Sequence, residues 1–207
     1  MTEIAHMTLQ LEGNGFPVDG FTASDVAEEA TDGPYLPGQL KIVHVAGVTI
    51  QLQADSCSFI QRQSASADGF ASLMDAAKAF VAMLGKKQLT SVSFTSHGHV
   101  VLAESTLASF RSIVVGQLAP IDAGIKSSGA IQLQFDVHEP KARRTIRIPS
   151  VTHKGTHQGM VVVELTISRK IAVSCSFDQC WDELHQIGFA GFTDDLTNFE
   201  KAVPDGS

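Results

Sequence analysis

Apolar residues recur along this chain at two spacings, every second residue and every third to fourth, and the switches between them divide it into elements. Residues 4–11 alternate, with Met7, Leu9 and Leu11 set between polar neighbours, and predict a strand. Over 12–38 the alternation is lost. Gly, Pro, Asp and Thr dominate, with Gly33-Pro34 and Pro37-Gly38 as turn signals, so a long loop is expected, interrupted by a short helix over 24–30 capped by Ser24. Alternation returns over 40–53, where Val48, Ile50 and Leu52 oppose Thr49, Gln51 and Gln53, and Gly47 splits the stretch into two strands. Residues 56–62 read as a further strand.

The period then changes. Phe70, Leu73, Met74, Ala77, Val81 and Leu84 fall on one face of a helix over 68–84, with Asp68 at its cap and Gly85 past its end. Lys86 and Lys87 follow, where the helix dipole favours cations. The polar face is hardly basic, so this helix faces a core and not a lipid surface. Two strands are read at 89–94 and 99–102, around a bend at Gly98. Residues 107–115 fit a helix through Leu107, Phe110 and Val114, and a strand through the run 113–115. The cleanest alternation is 131–138, with Ile131, Leu133, Phe135 and Val137 on one face. Strands are expected at 145–148, 160–168 and 171–175, the last two separated by a turn at Arg169-Lys170. Ser176 with Gln179 forms a capping box for a helix to about 187, and Thr193 caps a final helix that Pro204 ends.

Hairpin-length links outnumber helical crossovers in this order. It therefore predicts an α+β fold with a mainly antiparallel sheet or sheets, one amphipathic helix mid-chain over about 68–84, and two C-terminal helices. The 207 residues are read as one domain over 1–207, or as two packed lobes over about 1–104 and 105–207. A chain of this length buries enough surface to need no disulfide or metal staple. Ser-Cys-Ser-Phe occurs at 56–59 and again at 174–177, but the flanks do not align, so it marks no repeat.

Two stretches resemble a sporadically distributed family of uncharacterised bacterial proteins. One is the helix over 70–84 running into Leu89-Thr90-Ser91-Val92-Ser93-Phe94. The other is Trp181-Asp182-Glu183-Leu184-His185 followed by Phe192-Thr193-Asp194-Asp195-Leu196. Where an Arg-Tyr-Asn type sequence would be expected, this chain carries Phe94-Thr95-Ser96-His97. The resemblance implies a cytoplasmic α+β protein and carries no functional residues over.

Composition narrows the setting. Cys57, Cys175 and Cys180 are an odd number with no C-x-x-C pair, which argues for a reducing compartment. The opening residues lack a signal-peptide pattern, and the apolar runs are too short to cross a bilayer, so a cytoplasmic protein without a membrane partner is expected. Net charge is −7, unevenly spread: residues 1–35 hold seven acidic residues and no Lys or Arg, whereas 36–177 carry 14 basic and 8 acidic residues. Acidic ends packing on a basic middle, within or between chains, would use that segregation.

Candidate chemistry is sparse. No G-x-S-x-G, P-loop, G-x-G-x-x-G or H-E-x-x-H occurs. His97-Gly98-His99 is the most suggestive feature, because residues two apart on a strand point the same way. His97 and His99 can thus reach one divalent metal such as zinc, with His153 or His157 as further ligands and Glu104 or Asp136 as the carboxylate. Lys141, Arg143, Arg144, Arg147 and Lys154 form a basic segment suited to phosphates or an acidic partner. Cys180, in the first turn of a helix, reads as a packing residue.

The leading expectation is a non-catalytic binding or assembly protein acting through protein–protein surfaces. It needs no cofactor and works by self-association or as a subunit of a larger particle. The strand over 160–167, with three consecutive valines, is expected to offer a pairing edge. The alternatives are a metal-dependent hydrolase or nuclease using His97 and His99, and a nucleic-acid binder using the 141–154 segment.

Overall fold

Polar and apolar residues alternate in most of the strands, and a sheet built that way must hide one face. Here two helices hide it. The structure, a computed structural model, describes residues 2–61, 66–84, 89–103, 109, 112, 131–137, 142–148, 160–172, 181–182, 184 and 189–202. Its elements are β1 (Thr2–Gly13), β2 (Thr31–Leu36), β3 (Leu40–Val45), β4 (Val48–Leu52), β5 (Ser56–Gln61), α1 (Ala67–Leu84), β6 (Leu89–Ala103), β7 (Ile131–Val137), β8 (Ala142–Ile148), β9 (Met160–Ala172) and α2 (Phe189–Ala202). The strands form a nine-stranded sheet in the order β2-β3-β4-β5-β1-β6-β9-β8-β7. Every pairing in it is antiparallel. The α+β class and the antiparallel sheet expected from the alternation are both present.

The strand order has an internal logic. β1 and β6 lie side by side at the middle of the sheet. From β1 the order runs outward through β5, β4, β3 and β2; from β6 it runs outward through β9, β8 and β7. Each half therefore starts at the centre, jumps toward its edge, and winds back by hairpins to its own first strand.

The β3–β4 hairpin turns on Ala46 and Gly47, both in the left-handed region at φ 45° and 77°. Positive φ at both central residues is what a two-residue hairpin needs to match strand twist, and Gly47 supplies one of them at no steric cost. The loop expected over 12–38 holds a strand that the Gly and Pro content concealed. β2 pairs with β3 at the sheet edge, with a register shift between Asp32 and Tyr35 around Gly33-Pro34. Proline is tolerated on an edge strand because its missing N–H faces away from the ladder. The short helix of this segment is a 3-10 turn at Ala23–Asp25, not 24–30. Its cap is Thr22, whose N–H and hydroxyl both donate to the Asp25 carboxylate, at 2.7 and 2.8 Å.

α1 begins one step earlier than its charge pattern suggests. The Gly69 N–H donates to Ser66 Oγ at 3.1 Å, so Ser66 takes the capping role expected of Asp68. Gly69 lies so close to the Gln61 side chain that any Cβ there would overlap it. The buried stripe Phe70, Leu73, Met74, Ala77, Phe80 and Val81 packs on β5, β1 and β4. Phe80 is wholly buried and meets Phe16, Phe21 and Phe59 edge-on at 5.4–5.8 Å between ring centroids. Burying a side chain of this size contributes roughly 1.5–3 kcal/mol, and the edge-to-face geometry adds to it.

α2 packs on β6 and β1. It starts at Phe189, and Thr193 lies inside it, with its hydroxyl donating to the Phe189 carbonyl at 2.9 Å in place of capping. The helix ends at Ala202, short of Pro204 as expected. Of the preceding helix expected to about 187, the described residues Trp181, Asp182 and Leu184 are helical, and Trp181 and Leu184 are buried. Ser109 and Ser112, in the ambiguous 107–115 stretch, are helical.

Three sheet expectations change. β6 runs unbroken through Gly98 instead of bending there. A Cβ at 98 would stand 2.8 Å from Leu196 Cδ1 and 3.0 Å from Phe192 Cε1, so the glycine lets α2 close on the strand. β9 runs unbroken through Arg169 and Lys170, which pair with Phe94 and Ser93 of the long β6. Two charged residues without Gly, Pro or Asn do not make a turn when a partner strand offers hydrogen bonds. β9 is also no edge: it pairs with β6 on one side and β8 on the other. No helix among the described residues is long and apolar enough to cross a membrane.

Candidate functional site

Antiparallel partners share a face, so the register shows what the side of the sheet away from the helices carries. One row crosses all nine strands: Thr31, His44, Thr49, Ile60, Thr8, Thr95, Ser168, Arg143 and Asp136. In the first seven, every member but Ile60 is polar, and all seven are exposed or half-buried. Their strand neighbours Val43, Val48, Ile50, Phe59, Met7, Leu9 and Phe94 are buried beneath the helices. A second row is Gln51, Ser58, Gln10, Ser93 and Lys170. Side-chain hydrogen bonds knit this polar face across strands: His44 Nδ1 to Thr49 Oγ1 at 3.2 Å, and Thr95 Oγ1 donating to Ser168 Oγ at 2.9 Å.

A histidine patch lies where the two halves meet. Ile4 pairs with Gly98 and His6 with His97, so a bulge at Ala5 absorbs one residue. That extra residue sets His6 directly opposite His97 while Ile4 and Met7 remain buried. The two rings stack with centroids 4.0 Å apart and planes 19° from parallel. Thr166 Oγ1 holds His97 Nδ1 at 3.0 Å from the other side. Burial first, then the neighbouring His6 and His99 imidazoles, lower the His97 pKa from 6.5 to about 4. His97 therefore stays neutral at physiological pH.

The sequence brought His97 and His99 forward and passed over their neighbours. His6 was hidden because only the bulge brings it opposite His97. Thr166 was hidden because nothing short of the register joins β9 to β6. The positions paired with His99 are Glu3 on β1 and Glu164 on β9. Asp136 pairs with Arg143 on the outermost strand, three strands from β6. His153, His157 and Glu104 lie outside the described residues. As the side chains stand, no three His, Cys, Asp or Glu among the described residues are grouped to hold a metal ion.

Of the basic segment, Arg143 pairs with Ser168, Arg147 with Glu164, and Arg144 with Ile167 in the alternate row. Lys141 and Lys154 lie outside the described residues, as do Cys175 and Cys180. Cys57 is a free, fully buried thiol whose pKa burial pushes well up, so it is a core residue. Some N-terminal acids are engaged locally. Asp19 accepts from the Tyr35 hydroxyl and the Gly38 N–H, both at 2.7 Å, and these bonds hold its carboxyl below the usual range. Asp32 meets Lys41 at 2.8 Å, one contact of the acidic end with the basic middle.

No family model matches the chain, and no curated protein does. Among solved structures, Methanococcus jannaschii TBP is similar at a TM-score of 0.36 and 11% identity, over 90% of this chain and 95% of that one. A likeness at that level carries no argument about fold or activity.

Proposed function

We propose that this chain is a non-catalytic binding or assembly protein whose working surface is the face of the sheet that none of the described helices covers. One observation carries the reading: polar residues run in register across the sheet on a face that no described helix covers. A solvent-facing sheet side can be polar for solubility alone, but this one is wide, cross-linked by side-chain hydrogen bonds, and without a charged residue from β4 to β6 along the two rows Thr49, Ile60, Thr8, Thr95 and Gln51, Ser58, Gln10, Ser93. Such a surface offers many fixed donors and acceptors to a protein partner at little ordering cost. The partner is a protein, a second copy of this chain first among them. The buried free Cys57 supports a reducing, cytoplasm-type setting.

Light scattering over a range of concentrations, with and without Thr8→Arg, Thr49→Arg and Thr95→Arg, tests this. An oligomer or co-purifying partner that these variants release, with the circular dichroism of the fold retained, is the expected result. A strictly monomeric protein with no partner would overturn it.

A second reading is nucleic-acid binding, and the pairing of Arg143 and Arg147 with Ser168 and Glu164 favours it. These rows also contain Thr95 and His99, which would set cations beside the polar face. A mobility-shift assay at low salt decides it: retention lost in Arg143→Ala/Arg147→Ala supports this reading, and no retention removes it.

A further inference from the structure

We propose that His6, His97 and His99 form a binding site for a borderline divalent cation, zinc first, that clamps β1 to β6 where the two halves of the sheet meet. Three imidazoles are the donor number at which protein zinc sites keep a fourth position open. These three come from two adjacent strands: His97 and His99 alternate onto one face of β6, and the bulge at Ala5 delivers His6 opposite His97. The bulge keeps Ile4 and Met7 buried while re-aiming one of the two residues between them, His6, a metal-ligand type.

The surroundings suit a cation. The 3.0 Å contact of His97 Nδ1 with Thr166 Oγ1 fixes the ring's orientation, and in the tautomer that donates Nδ1–H to Thr166 the Nε2 keeps its lone pair, the arrangement that orients ligating histidines. The partners nearest the histidines, Thr166 opposite His97 and Thr8, Thr95 and Ser168 in the next row, are hydroxyl residues, and the cations of these rows, Arg143 and Arg147, lie on β8, two strands from β6. Both positions paired with His99 are glutamates, Glu3 on β1 and Glu164 on β9, so acidic residues stand next to it in register, with Arg147 one strand further out on β8. The His6 and His97 rings now stack nearly parallel, so their lone pairs do not converge. Turning His6 about its side-chain torsions trades the stack for a metal bond, and the ion then adds a coordination link between β1 and β6 to their ladder of hydrogen bonds.

The test uses the full chain without a histidine tag, zinc chloride as the probe, and two readouts that need no activity: native mass spectrometry and thermal unfolding. One zinc per chain is expected, with a Tm that rises with zinc concentration. His97→Gln, His99→Gln and His6→Gln should each weaken zinc binding about tenfold or more. Thr166→Val should weaken it about tenfold through the lost orientation of His97. His44→Gln, on the same face but distant in the strand order, should leave it unchanged. Circular dichroism confirms that each variant folds. Absence of stoichiometric zinc, binding unchanged in His97→Gln/His99→Gln, or binding lost instead in His153→Gln/His157→Gln would overturn the proposal.

Discussion

The Leu196 side chain of α2 rests on the bare backbone of Gly98, where a Cβ would stand 2.8 Å from its Cδ1. Both residues are buried, and Phe192 crowds the same spot at 3.0 Å, so an added methyl group forces Leu196 and Phe192 to shift within the core. Gly98→Ala should therefore destabilise the fold by about 1–3 kcal/mol, the range for an overpacked core. Urea unfolding reads this directly. Adding Leu196→Ala should recover part of the loss, since the two sites are in contact and their effects do not add.

Stability should fall as the solution is acidified through the histidine range. Unfolded His97 titrates near 6.5 and folded His97 near 4, so the unfolded state binds the extra proton between those values. Its contribution is fully present above about pH 6.5 and is lost as pH falls to about 4. The slope for one proton is at most about 1.4 kcal/mol per pH unit. Unfolding curves at pH 7.0 and 4.5, compared between wild type and His97→Gln, should show a smaller pH effect in the variant.

Ala46 sits at φ 45°, a conformation that a Cβ disfavours. Ala46→Gly should raise stability by about 0.5–1 kcal/mol, because the strain relieved exceeds the chain entropy that glycine adds. A lower denaturation midpoint for this variant would show that the turn is not strained.

Ser66→Ala removes the side-chain acceptor of the Gly69 N–H at the start of α1. A loss of about 1 kcal/mol is expected, within the range measured for such caps. Asp68→Ala should cost less, since the Asp68 side chain does not take that capping position.

What the sequence made legible follows from range. Alternation and helical spacing are local, and they located β4, β5, α1 and β7 to within a residue or two. β2 was missed because Gly33-Pro34 and Pro37-Gly38 read as turn signals, and only pairing with β3 makes Thr31–Leu36 a strand. The breaks expected at Gly98 and at Arg169-Lys170 vanished for a related reason: a long partner strand carries hydrogen bonding across residues that look like interruptions. At the candidate site, His97 and His99 were visible because two residues define the motif. His6 and Thr166 were not, being 91 and 69 positions away along the chain and adjacent only through the register. The polar face away from the described helices is not visible in the sequence because no single strand reveals it. Thr, Ser and Gln on alternate positions look like ordinary solvent contacts until rows of them align.

The central place of β1 has a consequence for how the chain is made. A ribosome releases β1 through α1, residues 2–84, before any of β6, so five strands and a helix can assemble while the outer edge of β1 has no partner. That edge is long and alternates polar with apolar residues, the kind of template to which another strand readily adds. In the nascent chain it is shielded only when β6 emerges and zips onto it. A translation product truncated after α1 would keep the edge open permanently and pair through it with another copy, β1 against β1. Production of the first half alone should therefore yield aggregates or dimers, and slowing the ribosome between α1 and β6 should lower the yield of the whole protein.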